Sequence, residues 1–200
     1  MGRRFDSIPE RGTIMPSVFK SLPLRWLIAV MAFPIGGFIG HLVGGPAATI
    51  PSALISGAIA GAVIGLGQGF ALQLESRALG LWAAATAVGL ALALAAVTAV
   101  IGQITTTTEA ATLGAVSGLM LGAGQAIVLQ RRGVSAAWLW APATAIAWAA
   151  GWFVTASAGI ALDAGWPVYG LSGAIVSQVI TGIVIWRIVG ARPAATVSPA

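Results

Sequence analysis

Side chains able to do acid–base, nucleophilic or metal chemistry are sparse in this sequence. There is no cysteine, which removes disulfides, thiolate metal sites and cysteine nucleophiles together. His41 is the one histidine. Its neutral imidazole either ligates a haem- or chlorophyll-type metal, as a weak candidate, or is a hydrogen-bonded side chain near the end of an apolar run. Glu75, Glu109 and Asp163 fall in three different connections, so they form no acid/base pair. Nothing matches a catalytic triad, a phosphate loop or a metal cluster, and an enzyme is not expected. Two carboxamides, Gln68 and Gln125, remain as polar groups deep within apolar runs, and their chemistry is hydrogen bonding.

These two glutamines end nearly identical segments. "GAIAGAVIGLGQ" covers Gly57 to Gln68, and "GAVSGLMLGAGQ" covers Gly114 to Gln125. Both continue as Q-x-x-x-L-Q, to Gln73 and Gln130. Each then meets a basic turn, a tryptophan, and a threonine four residues on: Trp82/Thr86 and Trp140/Thr144. Within the segments small residues recur every fourth position, at Gly57, Gly61 and Gly65 and at Gly114, Gly118 and Gly122. A weaker third copy has Gly173, Ser177 and Thr181, with Val184 at the offset where the others carry glutamine. Positions four apart share one helix face, so each stripe reads as a glycine-zipper surface for close helix packing. A glycine-lined pore or ligand groove is the alternative. Each glutamine lies three residues after a stripe glycine, roughly 9–14 Å inside the nearest basic turn at 1.5 Å per residue. There it serves as polar contact between helices, or as a constriction or ligand contact.

Trp148 and Trp152 stand four apart on one helix face, mid-span. They form an apolar plate for packing, for a lipid tail, quinone or pigment, or for a neighbouring subunit. The other tryptophans fall near span ends, as in the aromatic belt of spanning bundles.

The elements that carry these residues follow from composition. Of 200 residues, 58% are hydrophobic and only 8% charged, against about a quarter charged in soluble domains. Six uncharged stretches are long enough to cross a bilayer, which takes about 20 helical residues: Trp26–Gly45, Pro51–Leu74, Gly80–Gly102, Ala110–Gln130, Trp138–Leu162 and Pro167–Trp186. Continuous apolar runs argue against barrel strands. The fold expected is therefore an all-α integral membrane bundle of six transmembrane helices. The tryptophan and glycine segments alternate in register, so the helices read as three tandem hairpin repeats (26–75, 80–130 and 138–187) around a pseudo-threefold axis. A cytoplasmic N-terminal segment, 1–25, precedes the domain of 26–190, and a disordered cytoplasmic tail, 191–200, follows it. Pro34, with Gly36, Gly37 and Gly40 beyond it, predicts a kink in the first helix.

All ten basic residues fall on one side of such a bundle: Arg3, Arg4, Arg11, Lys20, Arg25, Arg77, Arg131, Arg132, Arg187 and Arg192. The positive-inside rule places both termini in the cytoplasm. It also accounts for the net charge of +5 without a nucleic-acid partner. The repeated G-x-x-x-G-x-x-x-G-x-G-Q-x-x-x-L-Q, basic turn and interfacial tryptophan resemble a group of bacterial multispanning membrane proteins with no known activity. The resemblance is good over helices 2 to 5 and loose over the outer two, and it implies a bacterial inner-membrane location. The partners implied are the lipid bilayer and other membrane-protein subunits, and the sequence names no cofactor. The role expected is a non-catalytic subunit that packs against or stabilises a larger membrane complex, contacting lipid, quinone or pigment. The alternative is a small transporter or channel for a neutral solute.

Overall fold

A computed structural model describes residues 21–159 and 170–190. Residues 1–20, Asp163, Trp166, the expected start of the sixth span at Pro167 and the tail 191–200 lie outside that range. Among the described residues there are six helices long and apolar enough to cross a membrane, and no strand. They are α1 (Leu22–Gly44), α2 (Ile50–Ala71), α3 (Ser76–Val100), α4 (Thr107–Arg131), α5 (Ala137–Ser157) and α6 (Leu171–Gly190).

Local signals set their ends. Thr49 caps α2, accepting from the Ser52 N–H while the Ser52 hydroxyl accepts from the Thr49 N–H, and Pro51 occupies the first turn. Thr106 and Glu109 form the same reciprocal box at α4. The Glu109 carboxylate also accepts from the backbone and hydroxyl of Thr105. The turn after α4 closes on Gly133 (φ 77°), with the Val134 N–H bonded to the Leu129 carbonyl. Helices run past the charged residues that bound the apolar stretches. α1 begins at Leu22, so Arg25 lies inside it and its Nε donates to the Ala71 carbonyl at 2.9 Å; α3 begins at Ser76, so Arg77 is helical. A long cationic side chain can reach a helix end while its backbone stays helical.

Pro34 has no N–H to offer Val30, one turn earlier. The helix tightens to 3-10 geometry over Ala29–Met31 at that point, which is the local distortion the proline predicts.

Each helix packs on its successor in the chain, and α6 returns to α1, so the six form a closed ring. The turns after α2 and α4, the start of α1 and the finish of α6 gather at one end. That basic end carries Arg25, Arg77, Arg131, Arg132 and Arg187, and the opposite one is called the far end below. The most extensive helix contacts are α2 on α3 and α4 on α5. A Cβ on Gly57 would lie 2.7 Å from the Ala91 Cα, and one on Gly61 2.5 Å from the Thr86 carbonyl oxygen. Gly65 abuts Ala83 and Thr86. Gly114, Gly118 and Gly122 meet Trp148, Thr144 and Ala141 of α5 in the same manner. Gly173 instead faces Gly151 and Thr155 of α5, and Ser177 donates to the Ala147 carbonyl at 3.0 Å. α1 leans on α2 through Gly36, Gly40 and Gly44, against Ala60 and Ser56.

A methyl group at Gly118 would meet the Thr144 carbonyl and sit 2.8 Å from the Ala145 Cα. We expect Gly118→Ala to push α4 off α5 and destabilise the bundle by about 1–3 kcal/mol. Gly80, with open space at its Cβ position, should tolerate alanine or gain about 0.5–1 kcal/mol. Thermal unfolding of both variants in detergent checks the contrast, and equal melting temperatures would refute it.

Candidate functional site

The inside of the ring has two storeys. At the basic end it is filled by three indoles from odd helices and three carboxamides from even ones. Trp26, Trp82 and Trp140 are buried side by side, with ring centroids 5.8 Å apart for Trp26–Trp140 and 6.1 Å for Trp82–Trp140. Gln68, Gln125 and Gln178 lie buried beside them.

Their hydrogen bonds run in one direction. Trp140 Nε1 donates to Gln125 Oε1 at 2.7 Å. Gln125 Nε2 donates to Gln68 Oε1 at 3.1 Å and to Thr86 Oγ1 at 2.8 Å. Gln68 Nε2 donates to Gln178 Oε1 at 3.2 Å, and Gln178 Nε2 ends the series on the Trp26 carbonyl at 2.8 Å. Trp82 Nε1 adds a longer bond to Gln68 Oε1, 3.4 Å. Trp26 Nε1 finds Thr181 Oγ1 at 3.1 Å, because Val184, at the position matching the other glutamines, packs against the indole cluster instead. The Thr86 hydroxyl donates to the Trp82 carbonyl one turn back at 2.8 Å, and the Thr144 hydroxyl lies 2.8 Å from both the Trp140 carbonyl and the Gly118 carbonyl of α4.

The sequence copies bring Gln68 and Gln125 to one layer, but their offset does not find Gln178. That residue lies six positions before Val184 and reaches the layer from α6. The signal available was simpler: a third carboxamide inside the last apolar run.

Toward the far end the ring holds a cavity of about 240 Å³ lined by all six helices. Trp148 is buried and Trp152 half-buried, and both line it. Phe33 closes on Trp148 at a centroid distance of 5.5 Å and an angle of 44°. Ile64 and Leu90 supply aliphatic wall. His41 lies at the rim, half-buried. None of the described residues lining the cavity is an aspartate, glutamate, lysine or arginine. Among the described residues no three His, Cys, Asp or Glu side chains gather to hold a metal.

Gly37 and Phe38 line the cavity and are exposed as well. The cavity is therefore open at α1, the helix that meets α6 chiefly through its first turns.

One buried polar atom among the described residues has no partner: Ser117 Oγ, in the cavity wall. Ser117 is 1% exposed. It stands where the preceding copy has Ala60, and that difference is the only trace it leaves in the sequence.

No protein-family model, known protein or solved structure matches this chain. Its chemistry therefore has to be read from the layer and the cavity alone.

At the basic surface Arg132 forms an ion pair with Glu75, tying the turn after α4 to the turn after α2. That hydrogen bond holds the Glu75 carboxyl below the usual carboxylate range. A lowered pKa contributes stability above the unfolded-state value, and the contribution disappears as pH falls through the folded one. The melting temperature of the wild-type protein should thus exceed that of Glu75→Gln at neutral pH, and the two should converge in acid. Parallel curves across the carboxylate range would contradict this.

Replacing Gln125, 0% exposed, by leucine strips Trp140 Nε1 of its acceptor within an apolar interior and removes one donor from Thr86 Oγ1. Stranding a buried group costs about 1–3 kcal/mol. We expect Gln125→Leu to lower thermal stability clearly, with Val184→Leu, beside the same layer, as the mild control. Equal melting temperatures would show that the layer adds no stability.

Proposed function

We propose that this chain is a non-catalytic multispanning protein of a bacterial inner membrane that holds a neutral, lipid-soluble ligand in the cavity beside Trp148 and Trp152. The observation that carries the reading is the two-storey interior. A hydrogen-bonded layer fills the basic half, and an apolar cavity that opens at α1 occupies the other. A cavity of about 240 Å³ exceeds the ~150 Å³ apolar void that takes up benzene. Its opening lies on an apolar helix surface, where Ile35, Phe38 and Leu42 are exposed. A ligand dissolved in the bilayer could enter there without crossing water.

The orientation proposed has the basic end in the cytoplasm, together with both termini. The five described arginines at that end support it through the positive-inside rule. Three tandem hairpins about a pseudo-threefold axis are proposed on the sequence copies and on the alternation of indoles and carboxamides around the layer.

A packing or stabilising subunit of a larger complex is compatible with this role. The face expected to meet a neighbour, Trp148 with Trp152, lines the cavity, so the ligand-holding part of that expectation has the stronger support. A channel or transporter for a neutral solute needs free donors and acceptors along a path. The layer's carboxamides and indoles are bonded to one another and close the axis at the basic half, which weighs against that alternative.

Gly37 gives a clean test. It lines the cavity, and no atom lies within 4 Å of where its Cβ would be. Gly37→Leu should fill the opening without disturbing helix packing, whereas a side chain at Gly36 would strike the Ala60 carbonyl. Wild-type protein taken gently from native membranes should carry a small apolar molecule in native mass spectrometry, and Gly37→Leu should lose it at unchanged melting temperature. An empty wild-type bundle, or equal occupancy in the variant, would overturn the proposal.

A further inference from the structure

The cavity wall constrains what could be held there, granted the ligand-holding role proposed above. Ser117 Oγ is buried without a partner in a wall whose other hydroxyls, on Ser56, Thr155 and Ser177, are all hydrogen-bonded within the protein. An unmet hydroxyl in such surroundings is costly, and a native site usually explains each one. A hydroxyl can donate one hydrogen bond, so a ligand oxygen that accepts it would satisfy the group. The described lining carries no Asp, Glu, Lys or Arg, so these residues offer an ionised ligand end no counter-charge, which favours an uncharged ligand. Phe33, Trp148 and Trp152 add aromatic surface to the same cavity, which favours a flat ring in stacked or edge contact. The exposed edge at Gly37 and Phe38 leaves room for a tail to pass into lipid.

We propose that Ser117, Trp148, Trp152 and Phe33 form a binding site for a quinone-type ligand. Such a ligand is an uncharged planar ring with a carbonyl oxygen that accepts from Ser117 Oγ and an apolar tail that leaves past Gly37. Ala60 stands in α2 where Ser117 stands in α4, so the site offers its one free hydroxyl on one side only and fixes which way the ring faces.

The experiment uses the full-length protein in nanodiscs, with decylubiquinone as probe and quenching of tryptophan fluorescence as readout. Decylbenzene, which has the tail and a ring but no carbonyl, serves as competitor. Wild type should show saturable quenching that Gly37→Leu abolishes. Ser117→Ala removes a hydroxyl that has no protein partner, so the variant should fold at least as well as wild type. It should bind decylubiquinone about two- to tenfold more weakly, as the loss of one net hydrogen bond requires. Decylbenzene should relieve the quenching only at concentrations well above those at which decylubiquinone itself saturates, and its own affinity should be the same in wild type and Ser117→Ala. Equal quinone affinity in wild type and Ser117→Ala, or decylbenzene competing as strongly as the quinone, would overturn the assignment of Ser117 while leaving the ligand-holding role intact. Absence of any saturable component removed by Gly37→Leu would overturn both.

Discussion

An indole N–H can donate a hydrogen bond and can do nothing else. Three of them point into the middle of this bundle, where no water is available to receive them, and that requirement organises the basic half of the ring. Trp140 fixes the carbonyl side of Gln125, which turns its amide hydrogens toward Gln68 and Thr86. Gln68 in turn presents its hydrogens to Gln178, whose own reach the Trp26 backbone. A carboxamide has one accepting and one donating side, so each orientation dictates the next. The series has a single sense, and it joins α5, α4, α2, α6 and α1 without any charge being buried.

Such short side chains can meet across a ring only if the ring is narrow. The glycines at 57, 61 and 65 and at 114, 118 and 122 set that width by letting α2 settle onto α3 and α4 onto α5. In lipid, where burial of apolar surface does not drive helices together, close backbone contact has to do much of the holding. The third small-residue stripe is polar at two of its positions and is used differently. Ser177 bonds to α5, while Thr181 accepts from Trp26 of α1. α6 is thereby shared between two neighbours, and α1, distorted ahead of Pro34 and leaning on α2, leaves the far half of the ring incompletely filled. The cavity is the space that results.

Much of this was legible in the sequence. Six uncharged runs gave six helices, since length and apolarity alone decide what can cross a bilayer. The four-residue spacing of small side chains placed Gln68 and Gln125 on a packing face, and they do hydrogen-bond there. What periodicity could not reveal was the identity of each face's neighbour. The stripe of α2 meets α3, the first helix of the next hairpin. Copy-to-copy offset pointed to Val184 and passed over Gln178, because a ring requires a donor at a height in space, and a different helix tilt supplies that height from a different residue. Span ends read from charged residues fell inside α1 and α3, where arginine stems let the helix continue. Ser117 looked like an ordinary small residue, since being left without a partner is a property of surroundings that no local pattern encodes.

The joining of α1 to α6 has a consequence for how the molecule is made. Trp26 of α1 is synthesised well before α6, yet its indole bonds to Thr181, 155 residues later. Helices α2 to α5 can pair with chain neighbours as they emerge, whereas α1 must wait beside α2 with its indole hydrogen unmet. The ring can close only once α6 is in place, so that helix acts as its clasp.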